Sequence, residues 1–168
     1  MQDLTLRCGT LAWDPSKDSV AKPDRVLADF SDAKGVEGWK ADPEIKLSHD
    51  GKGLRFAVAG KATYPQASKD GLQEDWQAFA TVVIEVENIG PKPQSLTFRV
   101  RSNADNNQRE DIGNSVGKGK ASLRIPVASL KKVKLDKIDK VYLMTDGVPD
   151  EGCQLRVYKI VLEPNRDL

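Results

Sequence analysis

Two arginines lie two residues apart in a stretch that alternates between apolar and polar residues, residues 95–102. Successive side chains of a strand point to opposite faces, so Arg99 and Arg101 face away from a core if the apolar residues of this stretch face into it. A guanidinium group can donate two parallel hydrogen bonds, which suits a diol or a carboxylate. The alternative is a cross-strand salt bridge with Glu85 or Glu87, which contributes only about 0.2–1 kcal/mol.

The same alternation selects further side chains that could contact a ligand. If Val141 and Leu143 face inward, Tyr142 and Met144 face outward. By the same count Glu85 and Arg124 face outward on their own strands. Loops on a rigid scaffold are a further place where ligand contacts gather. The predicted ligand contacts are therefore Arg99, Arg101 and Tyr142 first, then Glu85, Arg124 and Met144, and the loop residue Tyr64.

Several chemistries are disfavoured because cysteine and histidine are scarce. The chain has 2 cysteines and 1 histidine, whereas a zinc site needs about four nitrogen or sulfur ligands. His49 lies in polar, turn-like sequence, which predicts a surface residue rather than a catalytic base. No nucleophile elbow and no glycine-rich phosphate motif occurs. A disulfide between Cys8 and Cys153 requires the first and last strands to be neighbours and the two Cα atoms to be suitably spaced, and the alternative is two separate buried thiols.

The overall charge is close to balanced. Lys and Arg number 26 and Asp and Glu number 25, for a net charge of +1, which argues against a nucleic-acid-binding domain. No window is apolar for long enough to cross a membrane, and the N-terminus, residues 1–7, shows no secretory signal. A chain of 168 residues suits one domain with its own core.

Short strands separated by turn-rich sequence are the elements that would position these side chains. Residues 127–139 fit either a helix or a long connection, and residues 1–24 are expected to form an N-terminal arm or an extra edge strand. The number and spacing of the strands predict an all-β fold, a two-sheet antiparallel β-sandwich, over residues 25–168. The predicted strands are 25–30, 44–48, 53–59, 81–88, 95–102, 120–126, 141–145 and 155–162, with one short strand near Ile112.

A family resemblance is carried by the segment Asp75–Asn88, DWQAFATVVIEVEN. It resembles the D-W-S-x-Y-x-x-L-x-F-x-V-x-N segment of galactose-binding-like jelly-roll domains. The opening Val26–Phe30 with Gly38-Trp39, the strand Ser122–Val127 and the closing Tyr158–Glu163 resemble further segments of these domains, in the expected order. The closing strand lacks the acidic residue usual there. The likeness spans about residues 25–163, and the order of the segments carries it.

Many domains of this kind are non-catalytic carbohydrate-binding modules attached to glycoside hydrolases. The resemblance therefore implies a jelly roll that holds a polysaccharide or oligosaccharide in a groove on its concave sheet, without catalytic residues. It further implies a monomer outside the cell or at its surface, beside the catalytic domain of a parent enzyme, with no membrane or nucleic-acid partner. It also allows a structural calcium, to which Asp29, Asp32 and Glu163 could supply oxygen ligands.

Two other functions stay open at this point. A structural or protein-interaction sandwich would show a contiguous apolar patch on its surface. A small polysaccharide hydrolase or lyase would show two convergent carboxylates, or Tyr142 paired with Arg99. Basic residues outnumber acidic ones between Ile112 and Tyr142, which favours a solvated surface. An anionic glycan becomes the expected ligand if some of these residues join Arg99 and Arg101.

Overall fold

The computed structural model describes residues 22–103, 107–146, 148 and 152–165, and eleven β-strands lie within these ranges. Three short 3₁₀ turns, Ala33–Val36, Val127–Ser129 and Leu135–Lys137, are the helical segments of the same ranges. The strands are β1 Arg25–Asp29, β2 Trp39–Ala41, β3 Ile45–His49, β4 Leu54–Val58, β5 Gln66–Lys69, β6 Phe79–Asn88, β7 Gln94–Ser102, β8 Arg109–Val116, β9 Gly119–Pro126, β10 Ile138–Met144 and β11 Cys153–Pro164.

The strands form two antiparallel sheets. The first sheet has the order β3–β4–β11–β6–β9, and β1 also pairs with β11. The second sheet has the order β2–β5–β10–β7–β8. Neighbouring strands are seldom consecutive in the chain, so the chain passes repeatedly between the sheets, as it does in a jelly roll. The predicted two-sheet antiparallel sandwich is confirmed.

The core lies between the sheets because the central strands bury every second side chain. In β7, Leu96, Phe98 and Val100 are buried while the residues between them are partly exposed. Burying a side chain of this size contributes about 1.5–3 kcal/mol. Trp76 and Phe30 are fully buried, and Phe30 packs on Trp39 with 5.6 Å between ring centroids. Each core strand therefore presents its alternate residues to the outer face of its sheet.

The stretch 127–139 is a connection rather than a helix. It contains two separate 3₁₀ turns, and β10 already begins at Ile138. Leu130, Val133 and Ile138 are buried, so the apolar spacing that fitted a helix comes from a loop that places three side chains in the core. The strands β2 and β5 were missed, because each is short and has too few apolar residues for the alternation to show.

Two β-bulges change which residues face outward. In β10 the pairing with β7 shifts between Ile138 and Lys140, and in β11 the pairing with β6 shifts between Val157 and Lys159. A bulge adds one residue on one strand and re-aims the side chains beside it. Tyr158 therefore lies on the outer face, where its hydroxyl bonds Glu87. The alternation had placed it in one stripe with Ile160 and Leu162, which was wrong.

Some sequence predictions concern residues that the structure does not describe. The arm or edge strand predicted for residues 1–24 lies almost wholly outside the described ranges, as does Cys8. Cys153 is buried, and its pairing with Cys8 stays a prediction. His49 ends β3, and its ring lies 3.0 Å from the Phe30 carbonyl oxygen. No helix in the described ranges is long and apolar enough to cross a membrane.

Candidate functional site

The outer face of the second sheet carries an open groove, and no other element of the described chain packs over it. Two adjoining cavities of about 610 and 450 Å³ make up this groove, and both are lined by Gln66, Arg99 and Arg109. Tyr142 and Met144 are only 8% and 5% exposed at its floor. Arg99 and Lys140 lie over the Tyr142 ring and account for part of this burial.

Strand register brings the groove residues into line. Tyr142 of β10 lies opposite Arg99 of β7 and Ser68 of β5. Arg99 in turn lies opposite Asp111 of β8, and Ser68 lies opposite Lys40 of β2. Directly opposed residues of antiparallel strands share a face, so one polar row crosses all five strands. A second row joins Gln66, Met144, Thr97 and Gly113.

Arg99 is held by a carboxylate across the strand pair. Its Nε and Nη2 donate to the two Asp111 carboxylate oxygens at 2.6 and 2.8 Å. These hydrogen bonds, together with the guanidinium charge, hold the pKa of the Asp111 carboxyl below its ordinary value. The Arg99 side chain is 16% exposed and that of Asp111 is 43% exposed. The planar guanidinium is thus fixed at the groove wall, and the carboxylate remains accessible from solvent.

Tyr142 lies between two cations at the centre of the groove. The Lys140 ammonium nitrogen is 4.8 Å from the ring centroid, and the Arg99 guanidinium carbon is 5.6 Å from it. Both contacts lie within cation–π range, worth about 0.5–2 kcal/mol each. They hold the ring in place, and the Tyr142 hydroxyl makes no hydrogen bond to any residue that the structure describes. This hydroxyl is therefore free to donate to a ligand in the groove.

A β-bulge in β10 brings Asp139, the partner of Arg101, to the outer face of the sheet. Strict alternation along β10 would turn Asp139 toward the core and Ile138 outward, but the register shift buries Ile138 and leaves Asp139 on the outer side. The Asp139 carboxylate then accepts from Arg101 Nε at 3.3 Å and from Nη2 at 2.8 Å. Both side chains are about one-fifth exposed, 17% and 21%. Arg101 is oriented by this pair at one end of the groove.

Two lysines share a carboxylate at the edge of the groove. Asp70 lies 2.7 Å from the Lys140 ammonium and 3.0 Å from that of Lys40. The hydrogen bonds from Lys140 and then Lys40 hold the Asp70 pKa below its ordinary value. Lys140 thereby reaches both Asp70 and the Tyr142 ring. One carboxylate thus pairs with two cations at this edge of the groove.

The other end of the groove has the larger cavity and fewer charged side chains. Met144 lies on its floor, and Gly113 leaves space above Thr97, since a Cβ built on Gly113 would meet only the Thr97 hydroxyl at 3.6 Å. Tyr64 is 57% exposed at the rim and has a φ of 53°. A non-glycine residue with positive φ is uncommon and concentrates at functional sites.

The structure gathers five of the seven predicted contact residues in this groove. Arg99, Arg101, Tyr142 and Met144 face it from neighbouring strands, and Tyr64 lies at its rim. The alternation of β7 and β10 therefore predicted the correct face for all four strand residues.

Glu85 and Arg124 lie elsewhere, on the outer face of the first sheet. Glu85 accepts a hydrogen bond from Ser122 at 2.7 Å, and Arg124 forms an ion pair with Glu163. Both were correctly expected to face outward. Alternation cannot tell the outward face of one sheet from that of the other, so grouping them with Arg99 was wrong.

The three predicted calcium ligands do not converge. Asp29 accepts from the Ser31 backbone N–H at 2.9 Å, Asp32 accepts from that of Lys34 at 2.7 Å, and Glu163 pairs with Arg124. Within the described ranges, no group of three histidine, cysteine or carboxylate side chains is arranged to hold a metal ion. This ligand set does not fit a metal, and calcium binding itself stays a prediction.

Sequence reasoning missed several residues that line the groove. Asp111 and Arg109 lie in β8, whose outward residues alternate with inward ones, but the Asn, Asp and Gly in this stretch predicted mainly loop. Gln66 and Ser68 lie in the missed strand β5. The basic residues between Ile112 and Tyr142 hardly enter the groove: only Lys140 among them lines it.

Comparison with known proteins gives matches in structure only. No protein-family model matches the sequence, and no curated protein matches it. A family 11 carbohydrate-binding module from Clostridium thermocellum, solved with a β-1,3-1,4-mixed-linked tetrasaccharide, aligns with a TM-score of 0.62 at 16% identity over 84% of this chain and 95% of that chain. A family 28 module specific for non-crystalline cellulose aligns with a TM-score of 0.61 at 13% identity, over 85% and 96%.

The same fold also occurs inside longer enzymes. An agarase aligns with a TM-score of 0.70 at 11% identity over 86% of this chain. The chain spans only 25% of the agarase, so the similar part is one portion of a larger protein. The jelly-roll fold predicted from the resemblance is confirmed as the fold of these carbohydrate-binding modules.

Proposed function

We propose that this protein binds a carbohydrate chain in the groove of the second sheet and does no chemistry on it. The observation that carries the proposal is the row of guanidinium, phenol, hydroxyl and carboxylate groups across five strands, fixed by one another and open to solvent. Groups already held in place lose little freedom when a ligand binds. A preformed polar groove is therefore suited to a flexible polymer.

The chemistry of the lining suits sugar hydroxyls. Arg99 and Asp111 offer donors and acceptors side by side, and the Gln66 amide and Ser68 hydroxyl offer both on the adjacent strand. Met144 and Tyr142 supply apolar surface at the floor of the groove for the C–H face of a pyranose. The three tryptophans supply no flat platform here, because Trp39 and Trp76 are buried in the core and Trp13 lies outside the described ranges.

Charge compensation favours a neutral glycan. Arg99 pairs with Asp111, Arg101 with Asp139, and Lys40 and Lys140 with Asp70. An anionic polymer would have to compete with these carboxylates for the paired cations, and Arg109 is the one cation of the lining without an ion pair to a residue that the structure describes. A neutral polyol can instead bridge the existing pairs through its hydroxyls without displacing them.

The carboxylates of the groove do not resemble a glycosidase pair. A general acid needs a raised pKa, whereas the pKa values of Asp70 and Asp111 are lowered by their cationic partners. Arg99 contacts the face of the Tyr142 ring, not its hydroxyl. These contacts support binding without cleavage, and incubation with polysaccharide followed by a reducing-end assay is expected to detect no cleavage.

The structural neighbours set the starting panel of ligands. A β-1,3-1,4-mixed-linked tetrasaccharide and non-crystalline cellulose are named with modules of this fold, and an agarase contains the fold. The panel is therefore mixed-linked β-1,3-1,4-glucan, non-crystalline cellulose and agarose. We further propose that the protein acts outside the cell or at its surface, as a monomer beside the catalytic domain of a parent enzyme. The fold's occurrence as a quarter of an agarase supports that arrangement.

Calorimetric titration of the wild-type protein with this panel tests the proposal. Binding to at least one soluble polysaccharide is expected, and it should fall about tenfold or more in Arg99→Ala, because hot-spot contacts of this kind carry about 2 kcal/mol. Arg124→Ala is the matched control, since Arg124 is also paired with a carboxylate but lies on the other sheet. Absence of binding across the panel by folded protein contradicts the proposal.

A role as a protein-interaction sandwich finds less support. Such a domain would expose a contiguous apolar patch. Within the described ranges, the large apolar side chains that are well exposed are Val26 and Tyr64, at 48% and 57%. Tyr64 lies in a loop at the rim of the groove, whereas Val26 lies on β1 of the first sheet and lines no part of the groove.

A further inference from the structure

A third cavity, of about 420 Å³, lies past the Arg101 end of the groove. It is lined by Gln73, Asn103, Asp136, Lys137 and Asp139. Asp139 is also the partner of Arg101, which lines the 450 Å³ cavity of the groove. One ion pair therefore stands between the groove and this further space, which we call the end cavity.

The end cavity continues the line of the groove. Along β10 and the residues that flank it, Met144 to Asp146 line the first cavity, Lys140 and Tyr142 the second, and Asp136 to Asp139 the end cavity. A strand rises about 3.3 Å per residue, so the path along β10 from Asp139 to Met144 is about 16 Å long. A chain lying along β10 that fills the groove is therefore directed toward the end cavity.

The walls of the end cavity are tied together by backbone hydrogen bonds. Glu74 and Ile138 exchange two, at 2.8 and 2.9 Å, and the Leu72 N–H donates to Asp139 at 3.0 Å. The Asn103 N–H donates to the Lys137 carbonyl at 3.2 Å. Three separate segments of the chain are thus fixed around one space, so the end cavity is a built feature rather than a gap between loose loops.

Backbone strain marks the same place. Within the described ranges, the non-glycine residues with positive φ are Tyr64, Gln73 and Asn103, at 53°, 50° and 56°. Tyr64 lines the groove, and the other two line the end cavity. Strained residues persist where the surrounding structure holds them, and they cluster at ligand sites.

Side chains in the end cavity have unused hydrogen-bonding capacity. Gln73 and Asp136 make no side-chain hydrogen bond or ion pair to any residue that the structure describes. Together they offer a carboxylate and an amide, which match vicinal hydroxyls as donor and acceptor. We propose that the end cavity is an additional subsite, which binds a sugar of the same chain beyond the Arg101–Asp139 pair. This inference rests on the proposed function and specifies how far along the polymer recognition extends.

A length series of oligosaccharides tests this subsite. The probes are oligosaccharides from trisaccharide to octasaccharide, prepared from mixed-linked β-1,3-1,4-glucan, cellulose and agarose. The wild-type protein is expected to bind longer members more tightly than shorter ones. The double variant Gln73→Gly, Asp136→Ala removes both polar groups while glycine keeps the positive φ at position 73. It should bind the longest members about tenfold more weakly, the effect of two lost hydrogen bonds, and bind the shortest ones unchanged.

A control variant and the dependence on length distinguish failure of the end subsite from failure of the proposed function. Glu37→Ala removes an exposed carboxylate that lines none of the three cavities and should bind every length as the wild type does. If the double variant binds every oligosaccharide as tightly as the wild type does, the end subsite is overturned. It is also overturned if the double variant loses the same fraction of its affinity at every length. Failure of the wild-type protein to bind any probe overturns the proposed function and the subsite with it.

Discussion

Arg101 and Asp139 are joined by a two-point ion pair, with Nη2 2.8 Å and Nε 3.3 Å from the two carboxylate oxygens. The pair exists because β10 carries one extra residue between Ile138 and Lys140. A regular strand would bury Asp139 and expose Ile138. The same bulge thus buries Ile138 in the core and places Asp139 beside the groove.

Asp139→Asn tests this pair. The amide keeps the shape of the side chain but removes its charge, so the free energy of unfolding should fall by about 1–2 kcal/mol, the usual loss for a charged hydrogen bond that is partly buried. Glycan binding should also weaken, because Arg101 is no longer oriented. Denaturant unfolding and titration measure the two effects. Glu163→Gln, which breaks an ion pair on the other sheet, should leave binding unchanged, and equal binding by Asp139→Asn and the wild type would contradict the role of the pair.

Tyr142→Ala should abolish most binding, with a loss of about tenfold or more. Tyr158→Ala is the matched control, because each ring lies under a lysine, at 4.8 Å for Tyr142 and 5.1 Å for Tyr158, but on different sheets. Both variants should lose stability, and Tyr142→Ala should lose more, because Tyr142 is only 8% exposed and contacts two cations whereas Tyr158 contacts one. Similar binding losses in the two variants would contradict the groove assignment. Tyr142→Phe keeps the ring and removes only the hydroxyl, so its loss of affinity measures the contribution of the hydroxyl.

Phe98→Ala and Arg99→Ala change adjacent residues on opposite faces of β7. Phe98 is fully buried, so its truncation should cost about 3–5 kcal/mol. Arg99→Ala should cost less than about 1 kcal/mol, because its partner Asp111 can be hydrated once it is unpaired, yet it should weaken binding. Thermal unfolding of both variants measures the loss of stability, and titration with the glycan measures the loss of binding. A large stability loss in Arg99→Ala would place its side chain in the core instead.

Gly113→Trp should block the groove without unfolding the protein. A Cβ at this position meets only the Thr97 hydroxyl, at 3.6 Å, and the indole would extend over the floor beside Met144. Gly117→Trp adds the same side chain where a Cβ meets nothing within 4 Å, at a position that lines no part of the groove. Binding should be lost in the first variant and kept in the second, with both melting temperatures close to that of the wild type.

Stability and binding should be insensitive to pH until strongly acidic conditions. The pKa values of Asp70 and Asp111 are lowered in the folded protein from an ordinary value of 3.8. A lowered pKa means that these ion pairs stabilise the folded state fully at pH values above 3.8, and that this contribution is lost as the pH falls through the lower folded-state values. Titrations at pH 5 and pH 7 should give the same affinity, and Asp111→Asn should reduce the loss of stability on acidification. A marked change in affinity between these two pH values would contradict the assignment.

Local alternation determined the class of fold and the facing of its central strands. Residues 95–102 alternate between apolar and polar side chains, which predicted that Arg99 and Arg101 face outward. Counting alternate residues from Val141 and Leu143 predicted the same for Tyr142 and Met144. The prediction held because the period of two is a property of the extended backbone itself and needs no knowledge of the partner strand. A count of alternate residues gives the wrong face at Asp139 and Tyr158, where a β-bulge inserts one residue into the strand. Such a count does not reveal an insertion.

Tertiary structure alone decided which outward residues share one face. Glu85 and Arg124 obey the same alternation as Arg99, but β6 and β9 belong to the first sheet, whereas β7 and β10 belong to the second. Sheet membership depends on pairing between segments distant in the chain, such as β10 with β5, and no period within one segment encodes it. The groove, its ion pairs and the end cavity arise from those long-range pairings.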